Sequence, residues 1–166
     1  MRWLMVLAAV QLAGCRERAD DRHASPAPAG SGREPGSGEV RARIAPRGEA
    51  ATLMRSGPRV PVHLPPGFTL YPGAQVISNT VVERAGARRV LLVFETPDAL
   101  AEVMLFYRAQ ARGAGVALSL DLGGEERASI GGPLVGGGGE LAIAARRGPA
   151  GTRVEISANR AASAGP

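Results

Sequence analysis

Residues 90–94 read VLLVF, five apolar positions in succession, and no other feature of the chain limits its fold as strongly. A strand through them carries apolar side chains on both faces. It must therefore be buried on both sides or lie centrally in a sheet. Aromatic residues make up 4% of the chain against 45% hydrophobic residues, so the core around this strand must be filled mainly by Val, Leu, Ile and Ala. Gly and Pro supply 23 and 13 of the 166 residues, close to the composition of disorder-prone chains. One compact domain is the ceiling, and a large enzyme or multidomain machine is excluded.

That domain is expected over 60–160. Pro61, Pro65 and Pro66 force an extended lead-in, and residues 68–73 add an apolar anchor followed by a Pro-Gly turn. Strands are predicted over 75–84 and 88–95, around a turn at Ala85-Gly86-Ala87. Thr96-Pro97-Asp98 has the chemistry of a helix start: a hydroxyl for the N-cap, proline at the first helical position and an acid that suits the helix dipole. Leu100, Val103, Met104, Tyr107 and Ala111 then share one helical face, widened by Phe106, with Glu102, Arg108 and Arg112 opposite. Gly113 or Gly115 ends the helix. Beyond it, residues 116–122 alternate as a strand with one wet face and 127–130 read as a short strand. Residues 141–145 and 154–158 form a hairpin across Gly148-Pro149-Ala150-Gly151. The predicted fold class is α+β: two-layer, an antiparallel sheet with one amphipathic helix packed on one face. Residues 161–166 are expected to be a disordered tail.

The N-terminus carries a different signal. Met1-Arg2 is a minimal positive region, and residues 3–12 are apolar except for Gln11, about half of the roughly 20 residues that a spanning helix needs. Residues 1–14 thus read as an export signal. The run ends in Leu12-Ala13-Gly14-Cys15, which resembles the lipobox of bacterial lipoproteins, and Cys15 is the one cysteine in the chain. The resemblance implies cleavage between Gly14 and Cys15, a diacylglycerol thioether on the Cys15 sulfur, and acylation, for example by palmitate, of the new amino group. Small Ala13 and Gly14 suit a tight peptidase site. Arg16 after the cysteine is compatible with an outer-membrane location facing the periplasm. The lone thiol forms no internal disulfide, so the domain must stand on its core.

Residues 15–59 are expected to be the lipidated cysteine and a disordered linker. Residues 24–38, ASPAPAGSGREPGSG, hold nothing apolar larger than Ala and Pro, too little to offset chain entropy. A short helix or strand is open to residues 40–44, since Val40, Ala42 and Ile44 alternate with Arg41 and Arg43, but Pro46 stops it and nothing nearby pairs with it. A flexible coil over 16–59 would span roughly 35 Å. Net charge is +5, with arginine as every basic residue. Residues 60–166 hold ten arginines against nine acids, so the domain is nearly neutral. Without a basic stripe or interleaved aromatics, no nucleic-acid partner is expected.

Within the domain, Tyr71-Pro72-Gly73-Ala74, Phe94-x-Thr96-x-Asp98, Phe106-Tyr107 and Gly115 together resemble a small domain that recurs in bacterial exported and lipid-anchored proteins. The resemblance covers about residues 65–160. Its motifs are turn, cap and core positions, so it implies a fold and carries no catalytic assignment. Members commonly have an aromatic after the helix-ending glycine, where this chain has Val116.

Catalytic patterns are absent from the sequence. His63 is the one histidine in the domain, and no G-x-S-x-G turn accompanies it. With His23 far from it and no clustered carboxylates, the metal signal is weak, and no metal or cofactor is expected. The glycines at 136–139 precede Glu140 and a strand, whereas a phosphate loop needs Lys and Ser or Thr at a helix start. Glu125-Glu126 reads as a solvated turn, and Phe106-Tyr107 as core before ligand groove. The expected function is therefore noncatalytic: an envelope lipoprotein, held to the membrane through Cys15, whose domain is a binding or accessory module for an envelope protein, glycan or lipid. The alternative is a small envelope enzyme acting on a ligand between sheet and loops. A concave pocket holding His63 with two or more acids favours the enzyme; a flat wet sheet face favours the module.

If Cys15 carries lipid, the mature protein will partition into detergent and resist release by high salt, because each buried methylene contributes about 0.8 kcal/mol. Its Cys15→Ser form should be lighter by the acyl groups and soluble. Recovery of the wild-type protein in the soluble periplasmic fraction would overturn the assignment.

Overall fold

The structure is a computed structural model that describes residues 31–33, 38–136 and 138–161. Residues 12–15 of the lipobox-like motif and residues 162–166 lie outside these. Among the described residues, nine strands and one helix follow in the order β1 (Ser31–Arg33), β2 (Val40–Ile44), β3 (Thr52–Gly57), β4 (Gln75–Arg84), β5 (Ala87–Thr96), α1 (Leu100–Gly113), β6 (Leu120–Leu122), β7 (Arg127–Pro133), β8 (Gly139–Gly148) and β9 (Gly151–Arg160). The strands form one sheet, ordered β1-β2-β3-β4-β5-β9-β8-β7-β6, with every neighbouring pair antiparallel. The architecture is broadly α+β and mostly sheet.

The VLLVF strand is the middle one of the nine, flanked by β4 and β9. Val90, Leu92 and Phe94 are buried, the last two completely, whereas Leu91 remains 37% exposed on the other face. Of the two environments compatible with the run, central placement is the one found. β4 and β5 join through Ala85-Gly86, both at positive φ (47° and 79°), as a two-residue turn matched to strand twist requires. Glycine accepts that conformation readily; Ala85 is the strained member.

The buried face continues through Val154 and Ile156 of β9, Leu141 and Ile143 of β8 and Ile130 of β7, each 2% exposed or less. Over these three strands lies α1. It presents Leu100, Val103, Met104, Tyr107 and Ala111, the stripe its spacing predicts. The helix begins at Leu100 after Ala99, which has extended dihedrals and no capping side chain, so the Thr96 cap is misplaced. Thr96 belongs to β5, and its Oγ1 accepts from the Asp98 backbone N–H in the turn before the helix. Gly115, at φ 69°, takes the left-handed position beyond the helix end.

Part of the rest of this face, over β4, is covered by residues 58–74. Val60 and Phe68 are buried there. Asn79 of β4 donates from Nδ2 to the carbonyls of Val60 and Pro61, and Gln110 of α1 bonds both the N–H and the hydroxyl of Thr69. Tyr71 packs edge-on against Phe106, with ring centroids 5.0 Å apart, and Phe106 against Tyr107 at 5.1 Å.

Two expectations need correction. Residues 38–59, expected as linker, carry β2 and β3, which extend the sheet by pairing with β4. Their backbone groups find partners in a long hairpin edge, which a reading of residues 40–44 alone could not supply. The strand expected over 116–122 is reduced to Leu120–Leu122. Val116 is buried and Leu118 packs against the core, so this stretch descends from the helix to the sheet before it can pair.

Phe94 and Tyr107 are both fully buried, with ring centroids 6.4 Å apart. Phe94→Ala should therefore cost about 3–5 kcal/mol in a denaturant titration, a large part of a small domain's stability. An unchanged unfolding midpoint would mean that Phe94 is not packed against Tyr107 beneath the helix.

Candidate functional site

His63, exposed in the lead-in, lines a cleft of about 740 Å³ on the helix side of the sheet, floored by Val90 and Ala158 and rimmed by Arg88, Asn159 and Arg160. One carboxylate, Glu83, lines it as well. That carboxylate is engaged, because Arg88 Nε donates to Glu83 Oε1 at 2.8 Å. The cleft thus unites histidine with one ion-paired acid, short of the base-and-orienter pair that hydrolytic chemistry uses. Among the described residues, no group of three or more His, Cys, Asp or Glu side chains is placed to hold a metal ion.

The other residues weighed for chemistry are dispersed. Tyr107 is core, and Phe106 is partly buried against it. Glu126 lies 3.7 Å from Arg147 as an exposed pair, and Glu125 is solvated. Near the start of α1, the Asp98 carboxylate beside the Tyr71 hydroxyl, together with burial, raises the tyrosine pKa to about 12. Thr152 Oγ1 donates to the Asp98 carbonyl at 2.8 Å, tying the helix start to β9. The Tyr107 hydroxyl and Asn79 Oδ1 are buried without a hydrogen-bond partner, and burial pushes the Tyr107 pKa upward.

A polar feature missed from the sequence lies in the N-terminal strands. Arg41 of β2 and Arg55 of β3 are opposite each other in register, an arrangement that is repulsive by itself. Glu39 sits between them: Arg41 Nε donates to Oε1 at 3.0 Å and Arg55 Nε to the same oxygen at 2.8 Å. The Glu39 side chain is only 9% exposed. Hydrogen bonds from Arg41, then Arg55, outweigh the desolvation and hold its pKa at about 2. Arg55 is sixteen residues away from Glu39, so no local pattern could have revealed the trio.

The opposite face of the sheet carries no helix among the described residues. Following the register from β6 to β2, one row runs Leu120, Gly131, Ala142, Ser157, Leu91, Thr80, Ser56 and Val40. Beside it runs Leu122, Ser129, Ala144, Glu155, Val93 and Ser78. Apart from Glu155, these are small or moderately apolar side chains. On this face Leu120 and Leu122 are 40% and 61% exposed. At its end near the β8–β9 turn, Arg127, Arg146 and Arg153 lie side by side on adjacent strands and line a cleft of about 490 Å³.

Compared with protein-family models, curated proteins and solved structures, the chain matches none.

The Glu39 pKa falls from 4.5 to about 2 on folding. A depressed carboxyl pKa means that the ionised form stabilises the fold; this contribution is complete above the unfolded value and is lost as pH falls through the folded one. Stability should thus decline between pH 4.5 and about 2, and Glu39→Gln should remove that part of the decline. Urea midpoints measured at about pH 6 and about pH 3 for both proteins check this. Parallel acid losses in the two would assign the decline to other groups.

Proposed function

We propose that this chain is a lipid-anchored protein of the bacterial envelope. Cys15 holds it to the outer membrane facing the periplasm, and its α+β domain, arranged as two layers, is a noncatalytic binding or accessory module. The lipobox-like Leu12-Ala13-Gly14-Cys15 motif supports the anchor, and the resemblance of residues 65–160 to small domains of exported bacterial proteins accords with it. The observation that carries the module reading is the open sheet face: two cross-strand rows of small and apolar side chains, broken by the one charge of Glu155, on the side away from α1, with no helix over them among the described residues. A face of this kind suits a broad macromolecular contact, because it offers area without a cavity.

The second reading, a small envelope enzyme, draws on the His63 cleft. Its volume of about 740 Å³ falls in the range of ligand sites. Against it stands the single carboxylate there, already paired with Arg88. Neither the histidine nor the acid has the oriented partner that would activate it.

A photoactivatable side chain placed at Ala142 or Ser157, both exposed on the open face, should capture a partner in the native envelope. The same group at Ala101, on the exposed side of α1, should capture little. Equal capture at all three positions, or none, would overturn the open-face reading.

A further inference from the structure

We propose that Arg127, Arg146 and Arg153 form a binding site for a phosphate group, presented by a phosphate ester or a phosphate-bearing headgroup. This rests on the open face being the working surface of the domain, and it names the ligand chemistry of one end of that face.

The argument begins with register. In β7–β8–β9, Arg127 is opposite Arg146 and Arg146 is opposite Arg153, so three guanidinium side chains emerge from adjacent strands on one face. Directly opposed Cβ atoms are about 5 Å apart, and like charges there repel. Elsewhere the chain resolves the same problem internally. Arg41 opposite Arg55 shares Glu39. Arg88 opposite Arg160 is paired with Glu83. In the present row, Glu95 lies opposite Arg153 and binds its Nη1 at 2.9 Å. Arg127 and Arg146 have no ion-pair partner among the described residues. Arg147, which shares the cleft, is spoken for by Glu126. Two adjacent cations are thus left without the counter-ion that every comparable pair receives from the chain, and they line a ready-made cleft with Ser129 and Ala144.

The form of the deficit points to the ligand. A guanidinium presents a planar fork of donors that matches a carboxylate or phosphate edge. A carboxylate carries a single charge on two oxygens, so the two arginines that Glu39 serves must share one of them, Oε1. A phosphate monoester carries roughly −1.5 to −2 charge and three acceptor oxygens, so it can offer an edge to each of two guanidiniums at once. The small side chains of Ser129 and Ala144 leave its approach open. Glu155, on β9 opposite Ala144, also lines the cleft and makes no ion pair among the described residues. Its carboxylate opposes an anion. It therefore limits affinity, and its removal should strengthen binding.

The test uses the full-length protein in detergent, with inorganic pyrophosphate as the soluble probe and ionic strength held constant with chloride. Pyrophosphate should bind saturably and raise the melting temperature. Arg127→Gln and Arg146→Gln should each weaken binding by roughly tenfold. Glu155→Gln should tighten it, while Arg112→Gln, on the exposed side of α1, should leave it unchanged. Without anion, Arg146→Gln should melt no lower than wild type, since it relieves the cross-strand repulsion, so its loss of binding would not reflect unfolding. Binding that follows ionic strength alone, or that is equal in all variants, would overturn the site. Flotation of the full-length Cys15→Ser protein with phosphatidylcholine vesicles, with and without phosphatidic acid, separates the sources. Acid-dependent flotation lost in Arg146→Gln supports a headgroup, and pyrophosphate binding without flotation supports a soluble ester. Loss of pyrophosphate binding with open-face crosslinks intact would refute the phosphate site alone. The converse would refute the open-face module and leave the phosphate site standing.

Discussion

The disproportion between one helix and a wide sheet governs the rest of this molecule. Fourteen helical residues extend for about 21 Å, whereas nine strands spaced at 4.8 Å span roughly 38 Å. The helix covers β7, β8 and β9. The proline-rich segment ahead of β4 covers part of what remains, and it needs polar fastening by Asn79 and Gln110 because it has no secondary structure of its own. Beyond its reach, β2 and β3 have solvent on most of their surface. Their stability depends on strand pairing and on the buried Glu39 carboxylate between two arginines.

A chain whose basic residues are all arginine meets a recurrent difficulty in a sheet of this width. Guanidiniums fall opposite one another wherever the register brings two strands' arginines together, and each such contact needs an anion. Glu39, Glu83 and Glu95 supply it from three different strands or strand ends. The exposed pairs contribute little to stability individually. Their importance is in allowing the register at all. A cross-strand arginine pair that lacks its carboxylate is then a departure from the molecule's own pattern.

How much of this was legible in the sequence depended on whether the determining contacts were local. Strands β4, β5, β8 and β9 and the face of α1 follow from periodicity, since Leu92 and Phe94 or Val103 and Tyr107 bear their pattern within a few residues. The helix start was misjudged because Thr96 completes β5: its side chain is 3% exposed, and pairing with Thr152 outweighs its capping chemistry. The alternation over Val40–Ile44 marks β2, but nothing local supplies its partner; neither β2 nor β3 buries a continuous face, and β4, with which β3 pairs, begins well downstream. The arginine row was hidden for the same reason. Arg127, Arg146 and Arg153 are dispersed over three strands, and register, a nonlocal quantity, makes them neighbours.

Topology also bears on how an anchored domain could use its surfaces. The chain enters the sheet at β1, one edge, and the arginine row lies on β7, β8 and β9, toward the other edge. If Cys15 is the anchor, as proposed, the chain between it and Ser31 can reach at most about 55 Å when fully extended. The distance across the sheet from β1 to β7 is roughly 34 Å, seven strand spacings. The reach exceeds the width. An anchor at one edge therefore does not commit either face of the sheet to the membrane. The open face can turn toward a headgroup layer or toward a partner above it, and the chemistry of the arginine cleft, rather than the length of the tether, selects between them.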